Sequence, residues 1–463
     1  MAFDPVQPVA KKARSGGEIV SAREPLLNGV HDSESYSVSA AILPFLFPAL
    51  GGLLFGYDIG ATSSATISIE SPTLSGVSWY KLSSVEIGLL TSGSLYGALI
   101  GSVLAFNVAD FLGRRKELIG SAVVYLVGAL VTALAPNFPV LVLGRLVFGT
   151  GIGLAGYGIG SLFVETVAGW RYMYGVSSPV AIIMGLGMWW LPASPRWLLL
   201  RAIQGKGDVQ NSKDIAIRSL CQLQGQAFND SIPWQVDEIL AELSYLGEEK
   251  EATFGELFQG KCLKALWIGA GLVLFQQITG QPSVLYYAGS IFQSAGFSGA
   301  SDATRVSILL GVFKLIMTGV AVVVVDKLGR RPLLLGGVSG IVISLFFLGS
   351  YYIFLDNTPV VAVVGLLLYV GSYQISFGPI GWLMIAEIFP LRLRGRGLSI
   401  AVLVNFGANA LVTFAFSPLK ALLGAGILFY TFGVIAVTSL VFIYLVIPET
   451  KGLTLEEIEA KCL

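Results

Sequence analysis

Histidine is almost absent from this sequence, and charge is scarce. The one histidine, His31, lies in a polar N-terminal stretch, which leaves His-based catalysis and multi-His metal sites without residues. The three cysteines, Cys221, Cys262 and Cys462, stand far apart, so neither a disulfide framework nor a zinc or redox motif is indicated. Charged residues make up 13% of the chain, against roughly 25% in soluble domains. The formal net charge of +0 withholds the basic excess that nucleic-acid binding uses. What is present is apolar: 54% hydrophobic residues and a mean hydropathy of +0.75. A chain of 463 residues this poor in charge has lipid as its expected solvent. With no His, Cys pair or carboxylate dyad in an apolar run, neither an enzyme nor a cofactor or metal is expected.

A bilayer-crossing helix needs about 20 mostly apolar residues. The runs that qualify are 41–62, 87–108, 118–136, 140–164, 176–192, 265–289, 304–325, 332–355, 359–386, 399–423 and 426–447, eleven in all. They form a group of five and a group of six, divided by a charged stretch holding Asp208, Lys213, Asp214, Asp237, Glu238 and Glu242. The organisation follows: a disordered cytosolic tail over 1–39, a membrane half over 40–193, a cytosolic linker with short helices over 194–263, a second membrane half over 264–448 and a cytosolic tail over 449–463. The first apolar run begins only near Ala40, so no secretory signal is expected, and Asp4, Glu18, Glu24, Asp32 and Glu34 disfavour a transit peptide. Glu24-Pro25-Leu26-Leu27 reads either as an acidic dileucine sorting signal or as a chance leucine pair.

Lys and Arg near span ends set orientation. Arg114, Arg115 and Lys116, then Arg196 and Arg201, then Lys327, Arg330 and Arg331, and finally Arg392, Arg394 and Arg396 all fall on the side predicted to be cytosolic. Two of these clusters belong to an internal repeat. Asp110-Phe-Leu-Gly113-Arg114-Arg115 matches Asp326-Lys-Leu-Gly329-Arg330-Arg331, and Pro192-Ala-Ser-Pro195-Arg196 sits where Pro448-Glu449-Thr450-Lys451-Gly452 ends the second half. Each D-x-x-G-R-R corner needs a glycine for the turn, arginines at the interface and an Asp able to cap a helix or pair with a base.

The halves differ in length. Asp326 to Pro448 spans 122 positions and Asp110 to Pro192 only 82, a deficit of 40. Glu387-Ile-Phe-Pro390-Leu-Arg392-Leu-Arg394-Gly395 has no first-half counterpart. The charges point the same way, because an odd number of runs separates Lys116 from Arg196. The 140–164 run therefore reads as a composite of two helix ends joined near Leu154–Gly156, re-entrant or poorly packed. Its Gly151-Ile-Gly153-Leu-Ala-Gly156 fits a dinucleotide fingerprint only in letters. An apolar helical context makes those glycines, with Gly149, Gly158 and Gly160, close-packing residues.

Charge inside a span marks function by default. Asp58 in the first span and Arg145 in the fourth form either a proton-coupling pair or a static packing pair. Lys314 is expected to snorkel, and Glu387 to pair with Arg392, Arg394 or Arg396. Uncharged polar groups suggest the ligand. Gln276, Gln277, Tyr286, Tyr287, Trp382, Asn405 and Asn409 offer amides for hydroxyls and aromatic faces for sugar rings, with interhelical amide bonding as the bland alternative.

Gln276-Gln277-x-Thr279-Gly280, the paired D-x-x-G-R-R corners, Glu387-x-Phe-Pro390-x-Arg392-x-Arg394-Gly395, Pro192-x-Ser-Pro195-Arg196 and Pro448-Glu449-Thr450-Lys451-Gly452 resemble the sugar porter family of the major facilitator superfamily over about 40–463. Gly56-Tyr57-Asp58-Ile59-Gly60 and Gln281-Pro282-Ser283-Val284-Leu285-Tyr286-Tyr287 are most similar to its plant vacuolar glucose or D-xylose–proton symporter-like branch. The resemblance implies an all-α polytopic membrane protein of two pseudo-repeated helical halves, the first incomplete, with eleven hydrophobic segments in place of twelve. It implies monosaccharide transport by alternating access, coupled to protons through Asp58 and Arg145, with sugar contacts at Gln276, Gln277, Trp382 and Asn409. A cytosolic gating network of Asp110, Arg114, Arg115, Arg196, Asp326, Arg330, Arg331, Glu387, Arg394 and Glu449 is expected. The vacuolar membrane is favoured over the plasma membrane or plastid envelope. Pro282 stands where many sugar porters have Asn, which removes one hydroxyl contact. The competing reading is a shortened form that does not transport and is unstable or modulates an intact carrier. Oligomeric state is not legible.

Overall fold

The structure, a computed structural model, describes residues 38–150, 167–203, 208–224, 231–248, 254–296, 300–355, 358–389, 393–453 and 457–458. The first half comprises α1 (Val38–Glu70), α2 (Ser84–Leu112), α3 (Arg114–Ala133), α4 (Phe138–Thr150), α5 (Gly169–Gly175) and α6 (Ser177–Trp190). Three short amphipathic helices follow: α7 (Pro195–Ile203), α8 (Val209–Gln224) and α9 (Ser231–Glu248). They close a small core of Leu199, Ala216, Val236 and Leu243. The second half holds α10 (Gly260–Ile278), α11 (Gln281–Tyr286), α12 (Ala288–Ser294), α13 (Ala300–Leu328), α14 (Arg330–Phe354), α15 (Pro359–Ile375), α16 (Phe377–Ile388), α17 (Arg394–Leu423) and α18 (Ala425–Val446).

Eight segments among the described residues are long and apolar enough to cross a membrane, and the bent α5–α7 region supplies a ninth. α18 shows why these sequences become lipid-embedded helices. Phe429, Phe432, Ala436, Ser439 and Ile443 recur at helical spacing and are buried, while Val434, Val441, Tyr444 and Leu445 face outward. Both faces are apolar, so only lipid suits the outer one. Polar starts are capped locally: at α2, Ser83 N donates to Glu86 Oε2 at 2.7 Å and Glu86 N to Ser83 Oγ at 3.3 Å, a reciprocal capping box.

Two runs expected to be single spans are broken. The 265–289 run is α10, α11 and α12, interrupted at Gly280, whose φ of 89° is one that side-chain-bearing residues avoid. The 359–386 run is α15 and α16, interrupted at Ser376. Broken helices free backbone groups at the centre of the bundle, which is where membrane carriers hold ligands. The expected composite run is only partly visible. Its described part is α4, Phe138–Thr150. The rest of that run, with Gly151, Gly153 and Gly156, lies outside the described residues.

The corner repeat is real in the backbone. Gly113 and Gly329 both precede their helices with positive φ, 80° and 96°, and extended ψ, 149° and 166°.

Candidate functional site

The first half buries a charge pair. Asp58 of α1 and Arg145 of α4 are each 1% exposed at the side chain. The guanidinium grips the carboxylate with both terminal nitrogens, one to Oδ1 and the other to Oδ2 at 3.2 Å. Ser94 of α2 completes the ring, donating to Asp58 Oδ2 at 2.9 Å and accepting from Arg145 at 3.0 Å. Arg145 Nε donates to the Leu90 carbonyl at 3.2 Å, and the guanidinium lies 5.0 Å from the Tyr174 ring centroid. All three nitrogens of the guanidinium are thereby engaged, as a buried charge requires. Glycines bring the helices this close: a Cβ on Gly149 would meet the Ser94 carbonyl oxygen at 2.0 Å, and one on Gly97 the Leu146 carbonyl at 2.1 Å.

The second half buries amides instead. Gln276 Nε2 donates to the Phe377 carbonyl at 2.7 Å, at the freed start of α16. Gln277 Nε2 bonds Asn405 Oδ1 on α17 and, at 3.3 Å, Gln276 Oε1. Asn409 lies one turn on and accepts from Thr413 at 3.1 Å. Trp382 is half-buried on α16, next to Gly381, which packs against the Gln276 amide. Two buried groups, Gln277 Oε1 and Gln281 Nε2, have no hydrogen-bond partner among the described residues. One acceptor and one donor left open beside a helix break suit a hydroxylated ligand.

Tyr287 joins the halves. Its hydroxyl bonds Thr91 of α2 at 2.5 Å and donates to the Thr413 carbonyl at 3.2 Å, and its ring stacks on Phe416 at 4.7 Å. Gly289 N donates to Ser63 Oγ of α1 at 3.0 Å. Both contacts lie towards the face opposite the arginine corners. Tyr286 is fully buried in the same segment.

At the arginine corners the expected network is found in the second half. Arg330 bonds Asp326 at 3.3 Å and Glu387 at 3.1 Å, and Thr450 Oγ1 donates to Glu387 at 2.6 Å. Glu449 accepts from the Arg330 and Arg331 backbone amides at 3.1 and 3.0 Å. Arg330, from a different span, is thus a partner of Glu387, while Arg392 and the Arg394 side chain, two of the expected partners, lie outside the described residues. Tertiary packing brings the α14 start against the α16 end. In the first half, Arg115 donates to the Met188 and Trp189 carbonyls at the end of α6. Arg196 is exposed at the start of α7, and Lys314 is half-buried on α13. The side chains of Asp110, Arg114 and Arg394 lie outside the described residues.

Sequence reasoning did not single out Ser94, Thr413, Gln281 or the Leu90 carbonyl. Hydroxyls and amides inside apolar runs were the available signal, but which of many such groups faces a partner depends on helix rotation.

Comparison with known proteins agrees with this geometry. The chain matches the Sugar (and other) transporter family over residues 45–165 and 154–461. D-xylose-proton symporter-like 2 of Arabidopsis thaliana is 68% identical over 503 positions, covering 100% of both chains. D-xylose-proton symporter-like 3, chloroplastic, of the same plant is 58% identical over 97% of this chain and 88% of its own length. Among solved structures, the xylose transporter XylE from E. coli, inward open, matches with a TM-score of 0.71 at 26% identity over 91% of this chain and 99% of its own. The same proton:xylose symporter bound to 6-bromo-6-deoxy-D-glucose gives 0.70 at 28%, over 92% and 99%. The chain belongs to the sugar transporter family of the major facilitator superfamily and is a multi-pass membrane protein.

Proposed function

We propose that this sugar transporter moves a pentose or hexose by alternating access in symport with protons, D-xylose and D-glucose being the first candidates. The sugar sits between the halves on Gln276, Gln277, Trp382, Asn405 and Asn409, beneath Tyr286 and Tyr287, and the proton is exchanged at Asp58 under the hold of Arg145. The observation that carries this reading is the amide cluster of Gln276, Gln277 and Asn405, with Gln277 Oε1 and Gln281 Nε2 left open beside it. No ionic residue lies among these groups, which fits a neutral polyol. The names of the relatives, D-xylose–proton symporter-like proteins and a proton:xylose symporter with a bound glucose analogue, support the same substrate class.

The arginine corners are placed on the cytosolic side by their positive charge. The membrane proposed is vacuolar, on the strength of Glu24-Pro25-Leu26-Leu27. The relative named chloroplastic makes the plastid envelope the competing location, and a fluorescent fusion with Leu26 and Leu27 replaced by Ala separates the two. Purified protein in liposomes, with and without an inward-directed proton gradient, tests the central reading. Gradient-stimulated uptake of xylose or glucose is expected. Absence of uptake for every pentose and hexose sinks it.

The alignment with the 68%-identical relative runs over 503 positions while the chain has 463 residues, so at least 40 positions have no residue here. The family match is also split, with its pieces meeting between 154 and 165, where two helix ends are read as joined. A non-transporting shortened form is nevertheless not the reading adopted, because the family match spans both halves and the amide cluster and the Asp58–Arg145 pair are both assembled.

A further inference from the structure

At the face opposite the arginine corners, the end of α1, the start of α2, α12 and the end of α17 surround an open cleft. The cleft encloses about 250 Å³ and is lined by Thr66 and Glu70 of α1, Tyr287, Ser290 of α12, and Ser417 and Lys420 of α17. α1 has 33 residues, or about 50 Å of helix against roughly 30 Å of hydrocarbon. Glu70 lies eight residues beyond the apolar run 41–62 expected to fill the lipid core. The lining mixes these polar groups with Ile87 and Ala421, and two of its members carry opposite charges from opposite halves of the protein. Lys420 Nζ is held at 3.3 Å from Ser290 Oγ and 3.4 Å from Ser294 Oγ. Glu70 faces it without a direct hydrogen bond. Burial pushes the Glu70 carboxyl above the usual carboxylate range, and the nearby Lys420 only partly opposes that shift. The carboxylate is short of donors, and the ammonium has only two weak hydroxyl contacts. Tyr287 forms the floor, so its bonds to Thr91 and Thr413 separate this cleft from the amide cluster below.

We propose that the cleft is a second saccharide subsite, which receives the sugar at the face remote from the arginine corners before Tyr287 admits it to the central site. Glu70 accepts hydrogen bonds from two neighbouring hydroxyls of the ring, Lys420 donates to a ring or hydroxyl oxygen, and the serine and threonine hydroxyls adapt to the remainder. A neutral polyol is the ligand class that satisfies a carboxylate and an ammonium at once without neutralising either. The inference rests on the transport reading above and adds a residue pair that this reading does not use.

The test measures sugar entry from each face separately, using full-length protein in liposomes whose orientation is set by protease accessibility. Glu70→Gln and Lys420→Met are expected to raise KM for D-xylose or D-glucose about tenfold from the far face and to leave it within about twofold from the arginine-corner face. Glu70→Asp recovers most of the affinity. Equal changes from both faces, or a lowered melting temperature with KM unchanged, overturn the proposal and make the pair a packing contact. If the unaltered chain shows no uptake, the transport reading fails by itself. The cleft is then read by saturation-transfer NMR between D-xylose and purified Gln277→Ala protein. A signal lost on adding Glu70→Gln supports the subsite. No signal, or one indifferent to Glu70→Gln, overturns it.

Discussion

The two halves of this bundle place their polar groups at different depths. The first half buries a full ion pair, Asp58 with Arg145, in the middle of its helices, and at its arginine corner Arg115 bonds the Met188 and Trp189 carbonyls. The second half gathers uncharged amides, Gln276, Gln277, Asn405 and Asn409, carries Lys314 on α13, and seals the matching corner with Glu387 and Glu449. Both corners begin from the same glycine backbone. The difference lies in what meets the helix start. Gly329 abuts the Glu449 carboxylate, whereas Gly113 abuts the Trp197 ring, and Ala193 occupies the repeat position of Glu449. A helix start carries partial positive charge and unsatisfied amides, so a carboxylate there is favourable and a ring is not a substitute for it. On the proposed reading, proton chemistry belongs to one half and sugar recognition to the other.

The comparison breaks most severely at Asp58. Asp58→Asn leaves Arg145 buried without its counter-charge, which costs about 3–5 kcal/mol. Thermal unfolding should shift down sharply, and gradient-driven accumulation should be lost. Sugar counterflow, which needs no net proton movement, discriminates roles. If it survives in whatever protein remains folded, Asp58 couples protons; if it disappears with accumulation, the pair is a packing device.

Next in size is Gln277→Ala in the opposite half. Removing an amide that bonds Asn405 and offers Oε1 to the ligand should weaken sugar binding by about 1–3 kcal/mol, roughly five- to 150-fold. Proton-dependent behaviour of the empty carrier should be retained. A Gln277→Ala protein with unchanged KM would remove the sugar site from this cluster.

Smaller effects are expected at the corners. Glu449→Gln weakens the cap on two backbone amides at the start of α14 and should lower stability by about 1 kcal/mol, with slower uptake at unchanged KM. The reverse change sharpens the contrast. Ala193→Glu supplies the first half with the carboxylate its repeat partner has, and should raise stability by about 0.5–1 kcal/mol, read as a higher melting temperature. If Ala193→Glu destabilises the chain, the Trp197 contact at Gly113 is the preferred local solution and the halves are not interchangeable at this point.

Most of the bundle was legible in order along the chain. Hydropathy marks spans because each helix must bury about 20 apolar residues whatever its neighbours are. The repeated D-x-x-G-R-R corners and the 40-residue deficit required only comparison of the chain with itself. The Asp58–Arg145 pair was also legible, since a lone acid and a lone base in apolar runs have few other ways to be tolerated. Breaks at Gly280 and Ser376 were not, because an apolar run reads the same whether its helix is continuous or interrupted.

By itself, then, the sequence determined a lipid-embedded helical chain in two repeated halves, with charge confined to a few places and amides collected in the second half. Tertiary structure decided the partners: Glu387 with Arg330 57 positions away, Asp58 with Arg145 87 positions away through Ser94, and Gln277 with Asn405 128 positions away. Composition is a local property of each helix. Pairing depends on how each helix is rotated and tilted against its neighbours, which many distant packing contacts set together.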